Sequence, residues 1–204
     1  MAYTTLRLDG SLTADLETAA QQLNKGEPVV FPTDTVYGVG TSPLSAVGID
    51  KIYAAKIRPL DKGIPILLAD IADLDKVAAD FPQQAWDLAQ QHWPGALTLI
   101  VPKHAQLPNN VSPNQGIAVR VPDHPLSREL IRQAGGAVAA TSANLSGHPP
   151  AQTAAEALAQ LDGRVAAVVD GGRVPGGSPS TIVSLMGGKV TLVRRGPIKI
   201  IDTE

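Results

Sequence analysis

Pro28-Val29-Val30-Phe31 runs directly into Pro32-Thr33-Asp34-Thr35-Val36-Tyr37-Gly38-Val39-Gly40. The short apolar run predicts a buried strand. The polar, glycine-bearing stretch through Ser42 predicts a loop. Loops leaving strand ends are where α/β sheets meet small ligands, so this junction suggests both a fold class and a place for a site. Upstream, Leu12, Leu16, Ala19, Ala20 and Leu23 fall on one helical stripe, and Gly26 can end that helix. Downstream, Ile49, Ile52, Tyr53 and Lys56 share a helix face that must stop near Arg58-Pro59, because the residue before proline avoids the helical region.

The same alternation continues outward. Residues 64–69, 96–101, 117–121, 137–140, 165–169, 181–185 and 189–193 predict strands. Residues 74–79 and 83–92 look helical, Pro125 opens a helix to Gln133 with Gly135 beyond it, and Thr153 with Glu156 caps another through Leu161. Helices and strands in loose alternation, with adjacent strands near the end, argue for α/β architecture with a mixed sheet. There is no linker, repeat or low-complexity tract, so residues 1–204 are expected to form a single domain.

Composition narrows the function classes. The 204 residues include no cysteine, which excludes disulfide scaffolds, thiolate metal sites and a cysteine nucleophile. Lys plus Arg is 17 and Asp plus Glu 19, a net charge of −2, so no large basic nucleic-acid face is built in. Aromatics at 3% argue against stacked-ring nucleic-acid platforms. No run approaches the roughly 18 apolar residues of a membrane span, and no secretory signal opens the chain. A cytoplasmic protein with no membrane partner is expected.

Five stretches carry candidate chemistry. The threonines and Asp34 of the 32–42 loop suit a small zwitterion, or else satisfy their own turn. Lys56, Arg58 and Lys62 place three cations within seven residues, either balancing a helix dipole or clamping an anion. Arg120 lies on the strand face opposite Ile117, Val119 and Val121, where it is either solvated or paired with an anion such as a ligand carboxylate. Ser142 and Asn144, two apart after a strand, point the same way and read hydroxyls, amides or phosphate oxygens, or simply form a turn. Gly171 to Thr181 is glycine-rich and can approach a ligand through its backbone, and Arg194-Arg195 adds cations. A Walker loop and a G-x-S-x-G elbow are both absent. The four histidines lack metal-ligand spacing, so no protein-held metal is expected.

Six ordered motifs bring these pieces together: Pro32 to Gly38, Lys56-Ile57-Arg58-Pro59, Trp93-Pro94-Gly95-Ala96-Leu97-Thr98, Val119-Arg120-Val121-Pro122, Ser142 to Gly147, and Pro179-Ser180-Thr181-Ile182-Val183. Through them the chain, from Leu12 to Ile198, resembles the YrdC-like family of threonylcarbamoyl-AMP synthases, in its short, stand-alone form. The resemblance implies an open, twisted mixed sheet with flanking helices and a concave ligand-binding face. It implies that Arg58, Lys62, Ser142, Asn144, Ser180 and Arg194 approach ATP, that Thr35 and Arg120 approach L-threonine, and that Lys56 and Arg58 are catalytic. The family's K-P-L or N-P-L after R-P-x-x is here Lys62-Gly63-Ile64-Pro65, and a histidine of some longer members is here Leu67.

The implied reaction joins L-threonine, bicarbonate and ATP into L-threonylcarbamoyl-adenylate and pyrophosphate, with Mg2+ carried by the nucleotide. Its product feeds tRNA threonylcarbamoyladenosine formation through downstream transfer proteins, with tRNA binding weak or indirect. Lys56, Arg58 and Lys62 would neutralise charge on the phosphates rather than supply a nucleophile. Two alternatives are a non-catalytic nucleotide- or RNA-binding module of the same fold and a carbamoyl-adenylate module of the hydrogenase-maturation type.

Overall fold

Apolar runs take the middle of a ten-stranded mixed sheet, and short runs with few buried side chains take its edges. The computed structural model describes residues 3–176 and 179–200. Its strands are Leu6–Asp9 (β1), Val29–Phe31 (β2), Gly38–Thr41 (β3), Ile66–Leu68 (β4), Leu97–Pro102 (β5), Gly116–Arg120 (β6), Ala137–Ser142 (β7), Ala167–Asp170 (β8), Thr181–Ser184 (β9) and Thr191–Arg194 (β10). The α-helices are Thr13–Asn24 (α1), Ala46–Lys56 (α2), Gln83–His92 (α3), Pro125–Gln133 (α4) and Ala154–Leu161 (α5). The strand order is β1-β8-β2-β3-β7-β4-β6-β5-β9-β10. Parallel pairs (β1/β8, β2/β8, β4/β6, β5/β9) mix with antiparallel ones (β2/β3, β3/β7, β4/β7, β5/β6, β9/β10).

Strand alternation sorts side chains onto two faces. Val30, Val39, Ile66, Leu97, Leu99, Val119, Val168 and Val183 enter one core with buried residues of α2, α3 and α5. Val29, Phe31, Val138, Ala140, Ala167 and Val169 enter a second core with Leu16, Ala19, Ala20 and Leu23 of α1 and Leu130 and Ile131 of α4. Each fully buried aliphatic side chain contributes about 1.5–3 kcal/mol, so the two layers supply the drive to fold. The second layer is incomplete. Helix α1 packs on β1, β2, β3 and β8, and α4 on β4 and β7. Thr98 and Ile100 of β5, Ala118 and Arg120 of β6 and Ile182 of β9 belong to neither core. Among the described residues no helix covers that stretch, and its Thr98 and Arg120 line a cleft.

Two strands carry no sequence signal. β1 is an edge strand with only Leu8 buried, too short to show alternation. β3 falls inside the expected 32–42 loop, because Gly38 and Gly40 are poor strand formers. Gly40 is needed there: a Cβ would meet Val138 Cγ1 at 2.6 Å and the Ala139 carbonyl at 3.0 Å on neighbouring β7. The helix expected over 74–79 is a 3-10 turn at Ile71–Lys76, opened by a reciprocal Asp70–Asp73 cap. β7 runs on to Ser142, so that serine ends a strand instead of starting a loop. Gly177 and Ser178 of the glycine-rich stretch lie outside the described residues. Among the described residues no helix is long and apolar enough to cross a membrane.

Candidate active site

The cleft has a volume of about 350 Å3 and draws its lining from seven separated stretches of chain. The first is the loop leaving β2. Thr33 closes that loop on itself: its hydroxyl donates to the Val36 carbonyl (2.6 Å) and accepts the amide N–H groups of Thr35 (3.2 Å) and Val36 (3.3 Å). Asp34 is freed from local bonding and turns to β6. Its Oδ2 accepts from the Arg120 guanidinium at 2.5 Å. Arg120 Nε donates to the Gly95 carbonyl (2.7 Å), and a second guanidinium nitrogen reaches Thr35 Oγ1 (3.4 Å). Arg120 is only 6% exposed, which overturns the solvated alternative. Burial holds its guanidinium below the usual range, while Asp34 opposes that shift.

The turn after β7 forms the second wall. Asn144 is buried, and its side-chain amide donates to the carbonyls of Leu145 and His148, both at 2.8 Å. Behind it stands Lys56, at the last position of α2 and 1% exposed. Its ammonium donates to the Ser142 carbonyl, to the Asn144 carbonyl (2.6 Å) and to Asn144 Oδ1 (3.3 Å). Burial, then the nearby Arg58 charge, pulls this lysine down to about 7, against the three oxygens that favour its charged form. Ser142 and Asn144 both line the cleft, as their spacing suggests.

Ser180 and Arg194 form the third side. Arg194 donates from Nε (3.0 Å) and from a terminal nitrogen (2.8 Å) to the Ser180 carbonyl, and the same nitrogen lies 3.2 Å from Ser180 Oγ. The Ser180 hydroxyl pairs with that of Thr98 at 2.7 Å. Burial, then the charge of Arg120, holds Arg194 below the usual guanidinium range. Gly196 allows this closeness, since a Cβ there would strike the Thr181 amide nitrogen and the Pro179 carbonyl.

Six expected site residues therefore meet in one cleft: Thr35, Arg120, Ser142, Asn144, Ser180 and Arg194. Lys56, Arg58 and Lys62 do not line it. Ile57, a β-branched residue in the left-handed region (φ 52°), ends α2 and turns the chain into the 58–63 loop. There Arg58 donates to the backbone carbonyls of Lys62 (3.1 Å) and Gly63 (2.8 Å). Asp34, one of the polar candidates of the 32–42 loop, meets Arg120 here, while Thr98 and Tyr37 carry no reading from sequence beyond their motifs. Tyr37 is fully buried; its hydroxyl donates to the Gly172 carbonyl (2.7 Å) and accepts the Gly171 amide (3.2 Å), tying the glycine-rich stretch to the first loop. Its place beside Thr35 in one motif was the only signal. A larger hollow of about 610 Å3 lies near Asp9 and Asp170, but these carboxylates are already bonded to Ser11 and Gly172. The polar convergence belongs to the smaller cleft.

Comparison with known proteins points the same way. A Sua5/YciO/YrdC family model, described as "Telomere recombination", matches residues 21–196. A threonylcarbamoyl-AMP synthase of Bacillus subtilis is 42% identical over 182 residues, covering 88% of this chain and 53% of that protein. One from Pyrococcus abyssi is 34% identical over 187 residues, covering 91% of this chain and 55% of its own length. This chain thus spans little more than half the length of both. The crystal structure of P. abyssi Sua5 complexed with L-threonine superposes with a TM-score of 0.87 at 32% identity, over 96% of this chain and 58% of that one.

Proposed function

The chain belongs to the Sua5/YciO/YrdC family, and from that membership together with the cleft we propose that it joins L-threonine, bicarbonate and ATP into L-threonylcarbamoyl-adenylate, releasing pyrophosphate. The product supplies the threonylcarbamoyl group for tRNA modification, with other proteins performing the transfer, in a cytoplasmic setting, and residues 1–204 act as one domain. The observation that carries this reading is a single cleft holding two arginines in different company: Arg120 with Asp34 and Thr35, Arg194 with Ser180. The first group suits an amino acid, the second a phosphate chain.

In this scheme the threonine carboxylate takes the remaining N–H groups of Arg120, and Thr35 Oγ1 contacts the amino acid. Carboxylation of the amine by bicarbonate gives a carbamate and water. A carbamate oxygen then attacks the α-phosphorus, and pyrophosphate leaves. Among the described residues no histidine is hydrogen-bonded to the Ser142 or Ser180 hydroxyls, so the protein contributes positioning and charge neutralisation. Lys56 acts through the 142–144 turn that it holds in place. Arg58 and Lys62 meet the nucleotide when Arg58 exchanges two backbone carbonyls for phosphate oxygens. Among the described residues no lining side chain is a carboxylate, the usual protein ligand for Mg2+, so Mg2+ would arrive on the nucleotide and would supply charge neutralisation there.

Purified protein incubated with ATP, magnesium, bicarbonate and threonine is expected to form threonylcarbamoyl-AMP and pyrophosphate, read by mass spectrometry. Omitting any one substrate abolishes the product. ADP and phosphate alone, or product without threonine, defeats the proposal. Arg58→Ala is expected to lose most of this activity while melting within a few degrees of the unmodified protein, since its two carbonyl contacts are worth roughly 1 kcal/mol each. A loss of activity that merely follows a loss of folded protein would make Arg58 structural.

A further inference from the structure

The two arginines of the cleft differ in the charge around them. Arg120 is buried and carries its own counterion, Asp34, at 2.5 Å. Arg194 is bonded to the carbonyl and hydroxyl of Ser180, and among the described residues no carboxylate lies within ion-pair distance of it. His124 adds no charge beside Asp34: burial holds its ring below the usual pKa, and its Nδ1 accepts the Ser127 amide at 3.4 Å, which needs a free lone pair. Among the described residues, the Arg120 end therefore sums to zero and the Arg194 end to one positive charge.

We propose that Asp34 is the residue that assigns the two ligands to their halves of the cleft, by cancelling Arg120 so that this half takes a zwitterionic amino acid and turns away polyphosphate. This rests on the proposed synthase function. A zwitterion gains from a neutral pair whose positive end meets its carboxylate and whose negative end attracts its ammonium. A polyphosphate gains in proportion to the net charge it meets, and so prefers Arg194. Both anions must be sorted within one cleft, because pyrophosphate is released beside the amino-acid half. Asp34 does not line the cleft, so it acts through Arg120 as a positioning and charge-setting residue. Its Oδ1 is buried with no hydrogen-bond partner, an arrangement that costs stability and that a purely structural ion pair would not need.

The test uses calorimetric titration of the full chain with L-threonine and with inorganic pyrophosphate, separately and in competition. Asp34→Asn keeps the shape and an oxygen for Arg120, Asp34→Glu keeps the charge, and thermal melts establish that each is folded. For the unmodified protein, threonine binds and pyrophosphate does not compete with it. In Asp34→Asn, threonine is expected to weaken roughly tenfold, pyrophosphate to tighten roughly tenfold, and the two to become competitive, as removal of one nearby charge implies. Asp34→Glu restores the original preference in part. A folded Asp34→Asn that leaves both affinities unchanged, or weakens both alike, overturns the inference. So does competition between pyrophosphate and threonine in the unmodified protein, a result that needs no variant. Absence of any threonine binding by the unmodified protein removes the synthase function itself, and this inference with it.

Discussion

Arg120→Ala is expected to abolish amino-acid use, lowering adenylate formation by roughly a thousandfold or more while ATP still binds. Among the described residues the guanidinium is the one cation lining the Thr35 end of the cleft, and each of its nitrogens already has a fixed direction through Gly95, Thr35 and Asp34. Every amino acid offers the same carboxylate to it, so serine fails together with threonine. Choice between those two rests on one methyl group, worth about 1–3 kcal/mol, so under the proposed function the unmodified protein is expected to accept serine weakly. The alanine variant also strands the largely buried Asp34 carboxylate, at a cost of a few kcal/mol at most, below the roughly 3–5 kcal/mol of a fully buried pair. Arg120→Lys separates the two effects: it keeps a cation for Asp34 but lacks the planar fork. It is expected to stay folded and still lose most threonine affinity. Separate titrations of ATP and threonine decide the matter. Retained threonine affinity with lost ATP binding would mean that the two half-sites have been exchanged.

Lys56→Met carries the second large effect. The methionine fills the space but leaves the oxygens of Ser142 and Asn144 without their donor. Unsatisfied buried acceptors cost about 1–3 kcal/mol each, partly offset by removing a buried charge, so a net loss of about 3 kcal/mol is expected. That corresponds to roughly 6–12 °C in Tm for a chain of this size. Activity is expected to fall to near zero even below the melt, because the 142–144 turn loses its support. The pH dependence identifies the cause. The folded-state pKa is about 7 against an ordinary 10.5, so between those values the unfolded chain binds one more proton than the folded one. Stability contributed at this position therefore rises with pH across that window, and below pH 7 it is flat. Methionine has no such proton, so the stability gap between the two proteins widens from pH 7 to pH 9. A gap that stays constant, measured by thermal melts at both values, would show that the ammonium does not titrate there.

Local signals account for what the sequence reveals. Pro125 and Gly135 bracket α4, and the Thr153 hydroxyl does accept the Glu156 amide at 3.1 Å to open α5. Apolar runs locate the central strands for the same reason: each needs only its own neighbours to be recognised. The site is another matter. Asp34 and Arg120 are 86 positions apart, as are Lys56 and Ser142, and no local pattern joins them. Alternation alone puts Arg120 off the core face, but only the loop folded against it decides that it is buried and paired. Lys56 shares its helix face with Ile52 and Tyr53, yet the oxygens that occupy its ammonium come from the far end of β7. β3 stays hidden because its glycines serve close packing against β7, and strand propensity runs against them.

The strand order also governs how the protein is made. β8 inserts between β1 and β2, and β7 between β3 and β4. A ribosome working from the amino end releases the outer members of each trio long before the middle one. Until Ala137–Ser142 has cleared the exit tunnel, nothing bridges the hairpin bearing Asp34 to the strands bearing Arg120. Nascent chains at that stage carry apolar strands with open edges, the kind of surface that draws chaperones or sticks to other chains. Messages truncated before β7 are therefore expected to yield aggregation-prone fragments in which the cleft never forms, not even in part.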